Sequence, residues 1–82
     1  MTDFFSIIIN EISDYMTQNG IQPNIVLIPE AMHWDFLGEI NPITGITTMD
    51  RLRAMLRIPD NTQWWKMIAF MNGLLRITVG KI

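Results

Sequence analysis

The chain has 82 residues, of which 49% are hydrophobic and 17% are charged, and its formal net charge is −2. This length allows one domain, spanning residues 1–82. The chain contains no Cys and one His, which excludes disulfides, thiolate metal sites and multi-His metal sites within one chain. We therefore expect no metal and no cofactor. Small domains often need stabilisation in addition to that of their apolar core. Because disulfides and these metal sites are excluded, the remaining source of that stabilisation is association with another protein.

Uncharged runs such as residues 20–29 and 67–75 are far shorter than the roughly 20 apolar residues that span a membrane. The N-terminus has no basic segment of the kind that begins a secretory signal. We therefore predict no membrane partner and a cytoplasmic location, or a place in the virion if the protein is viral.

Charge is distributed unevenly along the chain. Residues 1–47 contain six acidic residues and no Lys or Arg, whereas residues 48–82 contain all six basic residues and two acidic ones. Three interpretations follow from this asymmetry: the two parts pair within one chain, they steer copies of the chain together, or the basic part binds nucleic acid.

Apolar periodicity predicts a first helix over residues 3–19, capped by Thr2 or Asp3 and ended by Gly20. The apolar run over residues 24–28 predicts a strand with both faces covered. A short helix over residues 30–37 follows. The predicted buried face of the first helix comprises Phe5, Ile8, Ile9, Ile12, Tyr15 and Met16.

Residues 38–47 are the longest predicted loop, and their Asn-Pro and Gly residues are typical of turns. Residues 48–58 are predicted to form a helix capped by Thr47 or Thr48. Its predicted buried stripe comprises Met49, Leu52, Met55 and Leu56, and its outer side carries Arg51, Arg53 and Arg57.

The C-terminal quarter predicts a helix over residues 61–71 and a strand over residues 74–81 that pairs with residues 24–28. On a helical wheel, Trp64, Met67, Ile68 and Met71 share the core face. The opposite side is also apolar, which is typical of a helix that a partner covers. The predicted interface comprises Trp65, Phe70, Lys66 and Ala69, together with Ile7 on the outer face of the first helix.

These elements predict an α+β fold with three to four helices and a short sheet that is two-stranded or completed by another subunit. The function expected from them is that of a non-enzymatic interaction or structural protein. It self-assembles as a homo-oligomer or docks on a larger protein partner, and a viral or phage accessory protein is a compatible setting.

Residues 48–82 also resemble the winged helix-turn-helix proteins of the excisionase type: a Thr-capped helix TMDRLRAML, a turn RIPDNT, a second helix, and a strand ending in VGK. The resemblance implies a DNA-binding module, which is the alternative function. The second helix departs from the pattern, since it carries few polar side chains for base edges. The residues that would bind nucleic acid are Arg51, Arg53, Arg57, Lys66, Arg76 and Lys81.

The residue types that support catalysis are sparse. His33 is the only imidazole, and no nucleophile motif accompanies it, so we predict that the protein is not an enzyme. A third hypothesis is a small-molecule pocket near His33, Trp34 and the loop over residues 38–47.

Overall fold

The computed structural model describes residues 3–55 and 67–82. In this part of the chain the elements are α1 (Phe4–Asn19), β1 (Ile25–Pro29), a 3₁₀ turn (Glu30–Met32), α2 (His33–Gly38), α3 (Thr48–Met55), β2 (Ile68–Met71) and β3 (Thr78–Gly80). The predicted α+β class is confirmed. The predicted sheet, two-stranded or completed by another subunit, is wrong in its strand count, because the described residues of one chain supply three strands.

The first helix begins and ends where the sequence predicts. Asp3 is the N-cap, and its side chain accepts a hydrogen bond from the backbone N–H of Ser6. Gly20 ends the helix with a φ of 72°, a left-handed conformation that glycine adopts without steric cost. The predicted buried face is wrong at Met16, which is 45% exposed; Phe5 is half-buried and packs against the core, and Phe4, which lies outside the predicted face, is buried there too.

The sheet has the order β2-β1-β3, with β1 and β2 parallel and β1 and β3 antiparallel. The predicted pairing of the last strand with β1 is confirmed. That last strand is shorter than predicted, and Leu75, which lies within the predicted strand, is outside the observed one and 93% exposed.

The prediction of a helix over residues 61–71 is wrong for residues 67–71, and residues 61–66 lie outside the described residues. Residues 68–71 form β2, in which Ile68 pairs with Val26 and Phe70 pairs with Ile28. The sequence IAFM is apolar throughout and suits a strand as well as a helix. Hydrogen bonding to β1 therefore decides between the two.

The core lies between one face of the sheet and the three α-helices. Residues in register on neighbouring strands point to the same face, and Val26, Ile28 and Ile68 are all buried there. Ile25 and Leu27 on the other face are only half-buried. The prediction that both faces of β1 are covered is therefore confirmed for one face only. The helices contribute Phe4, Ile8, Ile12, Phe36 and Leu52 to the same core cluster.

Candidate functional site

The loop between α2 and α3 is held in one conformation by its own hydrogen bonds. The backbone N–H of Asn41 donates to the carbonyl of Ile46 (2.9 Å), and that of Gly45 donates to the carbonyl of Asn41 (2.8 Å). The Asn41 side-chain Oδ1 also accepts from the backbone N–H of Ile43 (2.8 Å). This is the local side-chain bonding that makes Asn a turn residue.

The same loop exposes three isoleucines. Ile40 is 52% exposed, Ile43 93% and Ile46 47%. We call residues 40–46 the isoleucine loop. Because its backbone is already ordered, burying these side chains against another surface requires little further loss of conformational entropy.

Glu39 anchors this loop to α1 and α3. Its carboxylate accepts hydrogen bonds from the backbone N–H groups of Phe4 (2.9 Å) and Phe5 (3.1 Å) and from the hydroxyl of Thr48. The backbone N–H of Thr48 also donates to the Glu39 carbonyl (3.0 Å). A carboxylate at a helix N-terminus compensates the positive end of the helix dipole. Glu39 is therefore a structural residue that fixes the isoleucine loop relative to both helices.

A depression of about 490 Å³ lies beside this anchor. Arg51 covers the Phe5 ring there, and the distance from its Cζ to the ring centroid is 3.5 Å. Hydrogen bonds from Ser6 lower the pKa of Asp3, which also lines the depression.

The third hypothesis from the sequence placed His33, Trp34 and the loop around one pocket. The lining of this depression includes loop residues but neither His33 nor Trp34.

An apolar groove of about 430 Å³ lies further along α1, where the end of α3 approaches it. Thr48 begins α3 beside Glu39 and the first turn of α1, whereas Met55 at the end of α3 lines the groove. The isoleucine loop and the groove therefore lie toward opposite ends of the α1–α3 pair. The groove is lined by Ile9, Ile12, Ser13, Met16, Thr17 and Met55.

A column of aromatic rings occupies the end of the sheet where β1 and β2 terminate. The His33 imidazole lies 3.9 Å from the Phe70 ring centroid and 5.0 Å from that of Trp34, with interplanar angles of 13° and 8°. Phe70 meets Phe36 edge-on at 6.0 Å. Glu30 Oε1 lies 3.0 Å from His33 Nδ1. The column runs from the buried Phe36 to Trp34, which is 80% exposed.

The predicted interface residues have varied locations. Phe70 lies in β2, half-buried against the core, so the helical wheel that placed it outward is wrong. Ala69 is half-buried in the same strand, and Ile7 is 39% exposed on α1. Trp65 and Lys66 lie outside the described residues.

The predicted nucleic-acid-binding residues that the structure describes differ in their surroundings. Arg51 covers Phe5, and Arg76 pairs with Glu11 at 2.7 Å, which joins the acidic and basic parts of the chain. Arg53 is half-buried and Lys81 is exposed. Arg57 and Lys66 lie outside the described residues.

Two of the features described above were missed by the sequence analysis. The repeated Ile at positions 40, 43 and 46 of a turn-rich segment was the available signal for the isoleucine loop. No comparable signal identified the column, because its members come from α2 and from a strand that was predicted to be a helix.

Comparison of the chain with protein-family models, with curated proteins and with solved structures finds no match. In residues 3–55 and 67–82, no helix is both long and apolar enough to cross a membrane. Across the same residues, no three His, Cys, Asp or Glu side chains are grouped so that they could hold a metal ion.

Proposed function

We propose that this chain is a non-enzymatic protein that assembles with further copies of itself through the isoleucine loop. The observation that carries the proposal is the combination of a hydrogen-bonded loop backbone with three exposed isoleucines. Clustered exposed apolar side chains are characteristic of protein interaction sites.

The groove between α1 and α3 supplies the complementary surface. It is apolar along Ile9, Ile12 and Met16, and it lies toward the opposite end of the helix pair from the loop. A contact between the loop of one copy and the groove of the next is head-to-tail, and such contacts form rings or open filaments. Fully burying one isoleucine side chain contributes about 1.5–3 kcal/mol, so the three give a substantial apolar contact.

Sedimentation velocity at concentrations from low to high micromolar tests the proposal with two matched variants. Ile43→Ser and Leu75→Ser each replace an aliphatic side chain that is 93% exposed, but in different loops. Ile43→Ser is expected to weaken assembly about tenfold to a hundredfold, from the transfer free energy of one such side chain. Leu75→Ser should assemble as the parent does. A parent chain that stays monomeric, or equal effects of the two variants, would contradict the proposal.

A mixing experiment tests the head-to-tail arrangement. Ile43→Ser damages the loop, and Met16→Gln introduces a polar group into the groove. Each variant alone should assemble weakly. When mixed, they retain one intact loop and one intact groove between them, so a single contact forms and the mixture should stop at dimers. Failure of the mixture to form dimers while the parent still assembles would exclude this pairing.

The DNA-binding alternative gains no specific support from the described residues. The stretch that the resemblance requires as the second helix forms a strand over residues 68–71. Arg51 and Arg76 are also engaged within the chain.

A further inference from the structure

We propose that the exposed ring of Trp34, together with the carboxylates of Glu30 and Asp35, binds an arginine side chain from a protein segment. This site lies in a different part of the molecule from the isoleucine loop. Its ligand, an arginine side chain, is not required for self-assembly through that loop.

The aromatic platform is rigidly supported. Trp34 lies nearly parallel to the His33 imidazole, which in turn stacks on Phe70. Phe70 contacts Phe36, which is only 1% exposed, so one end of the column packs in the core. A ring that is fixed before binding loses little entropy when a ligand stacks on it. Because Trp34 is 80% exposed, most of its surface remains open.

Acidic residues next to the platform in the sequence favour a cation. Glu30 and Asp35 flank His33 and Trp34 in the sequence, both are exposed, and residues 1–47 contain no Lys or Arg. Glu30 contacts His33 through Oε1. The Glu30 side chain is 44% exposed, so a donor from a bound segment can reach its carboxylate. A phosphate-bearing ligand would be repelled by the same carboxylates.

Arginine fits this combination better than lysine does. A guanidinium is planar, stacks on an aromatic face and presents several N–H donors at its edge, so one group can contact both the ring and a carboxylate. Apolar residues next to the arginine would find further contacts. Met71 is 45% exposed and ends β2, and Leu75 is 93% exposed in the β2–β3 connection at the same end of the sheet.

Nuclear magnetic resonance of the ¹⁵N-labelled protein tests the site through the indole N–H signal of Trp34, assigned with Trp34→Phe. The probe is an acetylated, amidated tripeptide with a central arginine between two leucines. The control probe has citrulline, the neutral isostere of arginine, at the centre. The arginine peptide should shift the Trp34 signal saturably and bind about three- to tenfold more tightly than the citrulline peptide, as one cation–π contact with a carboxylate partner implies.

Two variants locate the contact. Trp34→Leu, followed through the backbone amide signals of residues 30–35 because it has no indole at this position, should abolish the arginine preference. Glu30→Gln combined with Asp35→Asn should reduce the preference and make binding less sensitive to salt. Ile43→Ser should bind the peptide as the parent does, because it alters only the isoleucine loop. Equal shifts from the two peptides, or an arginine preference unchanged by the carboxylate substitutions, would overturn the proposal. A parent chain that stays monomeric but binds the arginine peptide as expected would contradict the proposed function and leave this site intact.

Discussion

Two glutamates flank α2, and they are used in opposite ways. Glu39, at its C-terminal end, accepts two backbone N–H groups of α1 and the hydroxyl of Thr48. Glu30, just before its N-terminal end, contacts the His33 imidazole, the one side-chain partner it has among the described residues, and its side chain is 44% exposed. Their residue type does not distinguish them. The two glutamates differ in the number of hydrogen-bond donors that converge on each carboxylate.

Glu39 lies in a structural region of the molecule, whereas Glu30 lies in a region that is available for binding. Around Glu39, α1, α3 and the loop are joined by hydrogen bonds whose loss would leave donors at a helix start without partners. Around Glu30, the aromatic column ends at an exposed ring. Substitutions near Glu39 should therefore reduce the free energy of unfolding, whereas substitutions near Trp34 should alter binding with little effect on stability.

The largest expected effect is that of Glu39→Gln. One carboxylate oxygen becomes an NH₂ group, which faces N–H or O–H donors instead of accepting from them. Hydrogen bonds to charged groups contribute about 1.5–3 kcal/mol, so we expect a loss of about 2–4 kcal/mol in the free energy of unfolding. Urea denaturation followed by circular dichroism measures it, at one low protein concentration so that assembly does not contribute.

Glu30→Gln is the matched control for that experiment. It makes the same chemical change at an exposed carboxylate, where we expect a loss of about 0.5 kcal/mol or less. Equal losses in the two variants would remove the distinction between the two glutamates.

A smaller effect is expected from Asp3→Ala, and it should depend on pH. The side-chain and backbone hydrogen bonds from Ser6 lower the pKa of Asp3 in the folded state. Its stabilising contribution is therefore fully present above the ordinary aspartate pKa of about 3.9 and is lost as the pH falls through the lowered value. The stability difference between parent and variant should be constant from about pH 7 to pH 5 and should shrink below about pH 4.

Asp3→Asn is the control for the pH dependence, since Asn caps helices well but does not titrate. Its stability relative to Asp3→Ala should not change with pH. A parent–alanine difference that grows on acidification would contradict the assignment of Asp3 as a cap that acts through its ionised form.

Local signals were sufficient to predict α1 and β1. The Asp3 cap, the apolar periodicity and Gly20 all lie within or beside the helix that they delimit, and two prolines bracket the predicted strand. The Glu39 anchor could not be predicted in this way. Its bonds to Phe4 and Phe5 join residues about 35 positions apart, and they form only because α1 and α2 pack together.

The incorrect prediction of a helix at residues 67–71 has a different cause. A short apolar run is compatible with a helix and with a buried strand, and the parallel partner of β2 lies more than 40 positions earlier in the chain. Once that stretch was assigned as a helix, Phe70 was placed on an outward face. In the strand, Phe70 shares the core-facing side with Ile28, its partner in register, and can stack on His33. The aromatic column therefore became visible only in the folded structure.

The smallest expected effect is that of Trp34→Ala on stability, and it tests the region available for binding most directly. Because Trp34 is 80% exposed, most of its apolar surface is not buried by folding, and we expect a loss of about 0.5 kcal/mol or less in the free energy of unfolding. Phe70→Ala, in the same column but half-buried against the core, should cost several times more. Urea denaturation of the two variants beside the parent measures both. A loss above about 1 kcal/mol for Trp34→Ala would mean that folding buries much of the indole surface, and the case for an open arginine-binding face would then fail.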